Sequence, residues 1–323
     1  MSKFAHIISL VQSSVWFIEP RRGQVIADAF VARLERGAAS PENYLSEAEM
    51  EANKTNARVR MVPMPPQGKS GQIKNIAMIP MIGAILPRGD SMADMSGGGA
   101  VNLTRFQNEF MAAANDQSVG AILLEIDSPG GQIDLVPETA RMIRDARRAG
   151  RPIVAIANTM AASAAYWIAA AADEIVVTPS GMVGSIGVFQ FHQNLEGQAE
   201  QLGIVPQYIY EGPRKVEGNP FEEMDDVARA AFQAEVRAAY EQFTNDVADF
   251  RGVSARVVRA DPEGGSEKHF GGGRAYGAPQ LKTMGLVGPN GMVDRIATIQ
   301  QTMERLMGRS RRTSTTKARL ALQ

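Results

Sequence analysis

The sequence contains no cysteine and only three histidines among its 323 residues. The lack of cysteine excludes a disulfide framework, a cysteine nucleophile and cysteine-ligated zinc or iron–sulfur sites. His6, His192 and His269 lie far apart and form no HExxH pair or other metal-binding spacing, so we expect no metal and no other cofactor. None of the three lies in a motif typical of a Ser-His-Asp triad. Each is better interpreted as a structural or surface residue.

Long apolar runs and a strong charge of either sign are also missing. No apolar stretch approaches about 18 residues, so we expect no membrane span. Ala161–Ala172 is apolar, but it is short and Ser163 interrupts it. A net charge of -1 gives no reason to expect nucleic acid as the main partner. Together with the lack of cysteine, these features favour a cytoplasmic protein.

Composition shifts divide the chain into four segments. We expect a helical extension over residues 1–35, a linker rich in proline and glycine over 36–73, a main domain over 74–307 and a flexible basic tail over 308–323. Apolar residues make up 44% of the sequence, which is enough for a sizeable core in the main domain.

Within the main domain, apolar strand-like runs alternate with helix-like periodicity, which predicts βαβ units and a largely parallel sheet. The predicted strands are Ile76–Ile82, Ala84–Leu86, Ala121–Ile126, Ile153–Ala157, Glu174–Val177 and Gln207–Tyr210. The predicted helices are Leu103–Ala114, Val136–Ala149, Ala161–Ala172, Glu222–Phe250 and Ile296–Met307. Pro80 inside the first strand indicates an edge position or a bulge, and the glycine-rich residues 264–277 indicate a loop.

A Gly-Gly pair follows a predicted buried strand, in the segment Asp127–Gly131. Paired glycines let the backbone bend sharply and turn N–H groups toward a ligand, as an oxyanion hole for acyl transfer requires. A plain strand-to-helix turn explains the same residues equally well, so this segment alone decides nothing.

A single hydroxyl lies in a run of alanines at Met160–Ala165. Small neighbours would let a peptide carbonyl approach Ser163 Oγ, and a helix N-terminus favours developing negative charge. An ordinary N-cap serine is the competing interpretation.

Lys215 lies between a predicted strand and the long helix. A lysine can deprotonate a serine only when neutral, which requires burial or nearby positive charge, and Arg214 beside it could supply some of that charge. A Ser–Lys pair is a known alternative to Ser-His-Asp and suits a chain with few histidines. A solvated loop lysine is the competing interpretation.

Taken together, these segments resemble peptidase family S49, the signal peptide peptidase A family, in order and spacing over roughly residues 74–300. The matching motifs are Ser128–Gly131, Met160–Ser163 with Tyr166 and Trp167, Pro179 and Ser180 with Gly184–Gly187, Gly212–Lys215 with Pro220 and Phe221, Arg274–Gly277, and Gly285–Val287. The resemblance implies a crotonase- or ClpP-like α/β fold of repeated ββα units, with Ser163 as nucleophile and Lys215 as general base.

The resemblance also implies supporting roles. Gly130, with Gly131, and the Ala164 amide would form the oxyanion hole, and Ser185 would orient the Lys215 amine by a hydrogen bond. In this family the serine and lysine of one site can come from neighbouring subunits or repeats. Because the chain has no internal repeat, a homo-oligomer with shared sites is implied.

The chain also departs from the family pattern. Ala164 and Ala165 stand where Gly-Gly often follows the serine, and Gly288 stands where aspartate is usual. A membrane anchor like that of the cellular members is not expected. That difference, with the segment Trp16–Pro20, resembles phage and prophage members, which are head-maturation proteases that cleave scaffold or capsid proteins inside the procapsid. The resemblance thus implies protein substrates in the host cytoplasm or procapsid interior.

Other functions remain open from the sequence. A cytoplasmic protease that degrades peptides, like the cellular signal peptide peptidases, would share every motif. A non-catalytic capsid-assembly component would keep the fold without using Ser163 and Lys215. A crotonase-type acyl-CoA enzyme would share the sheet and the backbone oxyanion hole but would need no Ser–Lys pair.

Overall fold

The computed structural model describes residues 16–18, 58–65, 74–88, 100–266 and 268–308. The basic tail and most of the expected extension and linker lie outside these residues, so the expected segment boundaries stay predictions. The part of the extension that is described, Trp16–Ile18, is a strand instead of a helix.

The strands are β1 (Trp16–Ile18), β2 (Arg60–Pro63), β3 (Asn75–Ile82), β4 (Ala84–Leu86), β5 (Ala100–Asn102), β6 (Val119–Ser128), β7 (Gly130–Gln132), β8 (Ile153–Ala162), β9 (Glu174–Val177), β10 (Met182–Gly184), β11 (Ala275–Gly277) and β12 (Arg295–Ile296). The helices are α1 (Leu103–Asn115), α2 (Val136–Asp145), α3 (Ala164–Ala170), α4 (Glu196–Gln201), α5 (Asp226–Arg251), α6 (Ala255–Arg259), α7 (Ala278–Thr283) and α8 (Ile299–Leu306).

The larger sheet has β3, β6 and β8 as parallel neighbours at its centre. The far side of β8 pairs in parallel first with β9 and then, nearer its carboxyl end, with β10. Only β2 against β3 and β11 against β10 run antiparallel in this sheet, among the described residues. The prediction of an α/β fold with a largely parallel sheet is therefore confirmed.

Apolar residues on both faces of the central strands explain why this sheet is buried between layers. Along β6, Ile122 and Leu124 point into a core that α1, α2 and α3 cover. Leu123, between them, points into a second cluster on the opposite face, where Leu306 of α8 packs. Pro80 lies on β3 beyond the last residue that pairs with β2, so its missing N–H leaves no gap in that ladder.

A smaller sheet lies at the carboxyl end of β6 and has the order β1-β7-β4-β5. Strand β7 pairs in parallel with β4 through Gly131 and Ile85, and in antiparallel fashion with β1. The approach at Gly131 is so close that a Cβ there would lie 1.9 Å from the Ile85 carbonyl oxygen. Only glycine fits this position.

Four of the sequence predictions differ from the structure in their bounds or type as follows. The helix predicted over Ala161–Ala172 begins at Ala164, because Ala161 and Ala162 continue β8. The helix predicted over Val136–Ala149 ends at Asp145. Residues 207–210 form no strand, and the last residues of the predicted 264–277 loop form β11.

Candidate active site

Ser163 forms the junction between β8 and α3 and has an unusual backbone conformation. Its φ is 56° and its ψ is -120°, a combination that costs a residue with a side chain about 1–3 kcal/mol. The surrounding backbone fixes this conformation: the Ser163 N–H donates to the Gly184 carbonyl at 2.8 Å, and its own carbonyl accepts from the Trp167 N–H at 3.0 Å. The result is a sharp strand-to-helix turn with a serine at its apex.

The Ser163 hydroxyl lies in the protein interior beside a helix N-terminus. The residue is 0% exposed, and its Oγ donates a long hydrogen bond of 3.4 Å to the Gly187 carbonyl. Ala164 is the first residue of α3, and the N–H groups of a helix's first turn have no partner within the helix. An amide at this position can stabilise negative charge that develops next to Ser163.

The Gly130–Gly131 turn lies beside this junction. Ser128, at the end of β6, pairs with Ala161 of β8, and β7 contacts α3. Gly130 has a φ of 99°, and its N–H donates to the Ser128 hydroxyl at 3.2 Å. That N–H must leave Ser128 before it can bind an oxyanion.

Ser185 lies one residue from the hydrogen-bond partner of Ser163. It is buried, its φ is 54°, and its N–H donates to the Arg274 carbonyl at 2.8 Å. Gly184, just before it, pairs with Ala162 of β8. The structure therefore brings Ser163, Ala164, Ser185 and the turn at Gly130 to one end of the sheet.

Lys215 is not part of this arrangement within one chain. It lies exposed in a series of turns, where its N–H donates to the Gly212 carbonyl at 3.0 Å. Among the described residues, no hydrogen bond joins its side chain to Ser163 or Ser185. Arg214 beside it pairs with Glu217 at 2.7 Å. The predicted Ser–Lys dyad stays a prediction.

The chain just before Lys215 exposes apolar side chains, and we call residues 202–210 the apolar segment. Val205 and Ile209 are 82% and 101% exposed, and Leu202 and Ile204 are also more exposed than buried. The strand predicted at Gln207–Tyr210 lies within the apolar segment. These residues pair with no strand in the part of the chain that the structure describes. These side chains lack the cover that such residues normally receive.

A network beneath α3 was not predicted. Trp167 stacks on Phe243 of α5 with ring centroids 4.7 Å apart, and its Nε1–H donates to Asp246 Oδ2 at 3.1 Å. Burial raises the pKa of Asp246, although the hydrogen bond from Trp167 and the nearby Arg141 oppose the shift. From the sequence, Phe243 was expected only to lie in the predicted helix Glu222–Phe250, which does not indicate its partner.

A second unpredicted contact joins the carboxyl end of α5 to the chain before β12. Arg251 is buried, and its guanidinium donates to both carboxylate oxygens of Asp294 at 2.9 and 3.0 Å and to the Gly291 carbonyl at 2.9 Å. Asp294 Oδ2 also accepts from the Ile175 N–H of β9 at 2.7 Å. This pair ties α5 to the sheet.

The residues that the structure describes contain neither a membrane-spanning helix nor a side-chain cluster suited to a metal ion. No helix there is both long and apolar enough to cross a bilayer. No group of three or more histidine, aspartate or glutamate side chains there has a geometry suited to a metal ion.

Comparison with known proteins identifies the family of this chain. The sequence profile of Peptidase family S49 matches residues 145–311, about half of the chain. The chain therefore belongs to peptidase family S49, as the motifs had indicated. The matched range includes Ser163, Ser185 and Lys215 but not the Gly130–Gly131 turn.

Two phage proteins are among its relatives. Capsid assembly protease C of Escherichia phage lambda is 31% identical over 78% of this chain and 57% of its own length. Head-tail preconnector protein GP5 of Enterobacteria phage P21 is 32% identical over 79% of this chain and 50% of its own length. The chain thus spans about half the length of these relatives. Among solved structures, a ClpP1 mutant from Listeria monocytogenes covers 68% of this chain and 91% of its own at 15% identity, with a TM-score of 0.35.

Proposed function

We propose that this protein is a serine endopeptidase in which Ser163 is the nucleophile and Lys215 the general base. Neutral Lys215 takes the Ser163 hydroxyl proton as Oγ attacks the substrate's carbonyl carbon, and it then returns that proton to the leaving amine. The acyl-enzyme ester that remains is hydrolysed by water, which regenerates the free serine. The backbone N–H groups of Ala164 and of Gly130 or Gly131 stabilise the oxyanion in each step.

One observation carries this proposal: the buried, positive-φ conformation of Ser163 in a chain of peptidase family S49. A plain N-cap serine accepts a hydrogen bond from the first helical turn. Ser163 makes no such side-chain cap. Ser163 therefore adopts a backbone conformation that costs free energy, and no capping hydrogen bond offsets this cost. Backbone strain of this kind is typical of functional residues.

The position of Lys215 supports a site completed by a second subunit. A lysine base must lose its proton near neutral pH, which requires burial or nearby positive charge. In one chain Lys215 is exposed, and the neighbouring Arg214 is paired with Glu217. The apolar segment immediately before it is also uncovered. A neighbouring copy that packs on the apolar segment would bury both, and its own serine would then receive this lysine.

The substrates that we propose are proteins of a phage head, such as scaffold, capsid or portal proteins. The two phage relatives, one named as a capsid assembly protease, support this choice over general peptide degradation. Cleavage would then occur in the host cytoplasm or inside the procapsid.

The test is hydrolysis of a fluorogenic peptide and of the head proteins encoded beside this chain, read by intact mass. Ser163→Ala and Lys215→Ala are each expected to lose at least about a thousandfold in kcat, since each removes a group that acts in bond cleavage. Ser266→Ala and Lys282→Ala serve as matched controls, because both residues are exposed and lie outside the matching motifs. Full activity in either of the first two variants contradicts the proposal.

The pH dependence offers a separate check on the base. If neutral Lys215 is required, kcat/KM rises with pH until the lysine is fully deprotonated. A rate that stays constant between about pH 6 and 9 argues against a lysine base.

A further inference from the structure

Strand β7 has two edges, and the N-terminal strand of the same chain occupies one of them. On one side Gly131 pairs with Ile85 of β4. On the other side β1 runs antiparallel, with Phe17 opposite Gly131 and Ile18 opposite Gly130. An open strand edge is a ready template for another extended peptide. Here the chain fills that edge itself.

Strand β7, whose edge β1 covers, lies next to the candidate nucleophile. Strand β7 starts at the proposed oxyanion residue Gly130 and contacts α3, the helix that Ser163 precedes. A peptide that adds to a sheet edge is held by main-chain hydrogen bonds, whatever its side chains. A substrate paired with β7 would thus place a backbone carbonyl beside the oxyanion donors.

We propose that residues 16–18 are a built-in competitor that blocks the protein's own substrate-docking edge until a substrate strand displaces them. The inference rests on the proposed peptidase function. It accounts for the antiparallel pairing of β1 with β7, the strand that begins at the proposed oxyanion residue Gly130. Docking of substrate is then an exchange of one strand for another.

The expected strength of the block follows from its size. Three residues form only a few ladder hydrogen bonds, so their intrinsic affinity is weak. Residues 19–57 link β1 covalently to the rest of the chain, so its effective concentration at β7 is on the order of millimolar. Such a competitor raises the apparent KM by roughly two- to tenfold and leaves kcat unchanged.

The experiment compares full-length proline and valine variants of the strand. In an antiparallel pair, alternate N–H groups point at the partner strand. Proline lacks this donor, so at least one of Phe17→Pro and Ile18→Pro removes a ladder hydrogen bond. Phe17→Val and Ile18→Val keep every backbone donor and are the matched controls. At least one proline variant is expected to show a KM two- to tenfold lower than the wild type, with kcat unchanged.

Two measurements on the same samples make the result decisive. Amide hydrogen exchange at Gly130–Gln132 should be faster in that proline variant than in its valine control. A synthetic peptide with the sequence of residues 11–22 should inhibit the proline variant competitively. Unchanged exchange, or faster exchange with an unchanged KM, overturns the proposal. If no protein shows hydrolysis that depends on Ser163, the proposed function fails, and exchange alone then decides whether the strand docks.

Discussion

The close contact between Gly131 and β4 makes Gly131→Ala the sharpest stability prediction. The added Cβ would lie 1.9 Å from the Ile85 carbonyl oxygen and 2.6 Å from its amide nitrogen. Both are backbone atoms, so no side chain can rotate away, and the strands must separate by about 1 Å or more. Overpacking of this kind costs about 1–3 kcal/mol, and we expect a value near the upper end because the contact is the only pairing between β4 and β7.

Urea denaturation at a fixed protein concentration measures this effect. With a slope of about 3 kcal/mol/M, a loss of about 3 kcal/mol lowers the midpoint by about 1 M. Gly197→Ala is the matched control, because a Cβ at Gly197 in α4 meets nothing within 4 Å. That control should be about 0.5–1 kcal/mol more stable than the wild type. A Gly131→Ala protein within about 0.5 kcal/mol of the wild type would refute the reasoning.

The other predictions concern the supporting network and the shared site. Arg251→Ala removes the guanidinium that pairs with the Asp294 carboxylate and should cost about 3 kcal/mol in urea denaturation. Arg295→Ala, which breaks a more exposed pair, should cost less than about 1 kcal/mol. Burial raises the pKa of Asp246, so the stability that its protonated form contributes is lost as pH rises through that pKa. The melting temperature of Asp246→Asn relative to wild type should therefore increase between about pH 4 and 7. A difference that stays constant with pH would contradict this prediction. If the site is shared, equal mixtures of Ser163→Ala and Lys215→Ala should recover about a quarter of wild-type activity after reassembly, and no recovery would place both residues in one subunit.

The central sheet could be predicted because its signals are local. Strands β3, β6 and β8 are nearly continuous apolar runs, and the helices between them show one apolar face, so period and length define each element. The long helix was also predicted well: α5 begins at Asp226, after its N-cap Asp225, four residues later than expected.

The short elements around the site could not be predicted, because tertiary contacts define them. Strand β7 has three residues, two of them glycine, and exists only because β4 and β1 flank it. Ser163 was expected near a helix start, but nothing in an alanine run shows that β8 continues to Ala162. A strand at 207–210 fits the local sequence, yet its partner strand is absent from the described part of a single chain.

The residues of the candidate site were likewise predicted from the sequence only in part. The motifs selected Ser163, Ala164, Ser185 and the Gly130 turn, and the structure places all of them at the carboxyl ends of neighbouring strands. Lys215 was selected with equal reason, but in one chain it lies exposed and apart from these residues. Under the proposed function, a second subunit completes the site. No sequence pattern indicated the ion pair between Arg251 and Asp294, because the two residues are far apart along the chain.

Labelling with a fluorophosphonate probe, followed by peptide mapping, tests the central claim most directly. Such a probe forms a covalent bond only with an activated serine. We predict one modified site in the wild-type protein, at Ser163, with labelling abolished in Ser163→Ala and strongly slowed in Lys215→Ala but not in Lys282→Ala. Labelling of another serine, or undiminished labelling of Ser163 in Lys215→Ala, would contradict the account.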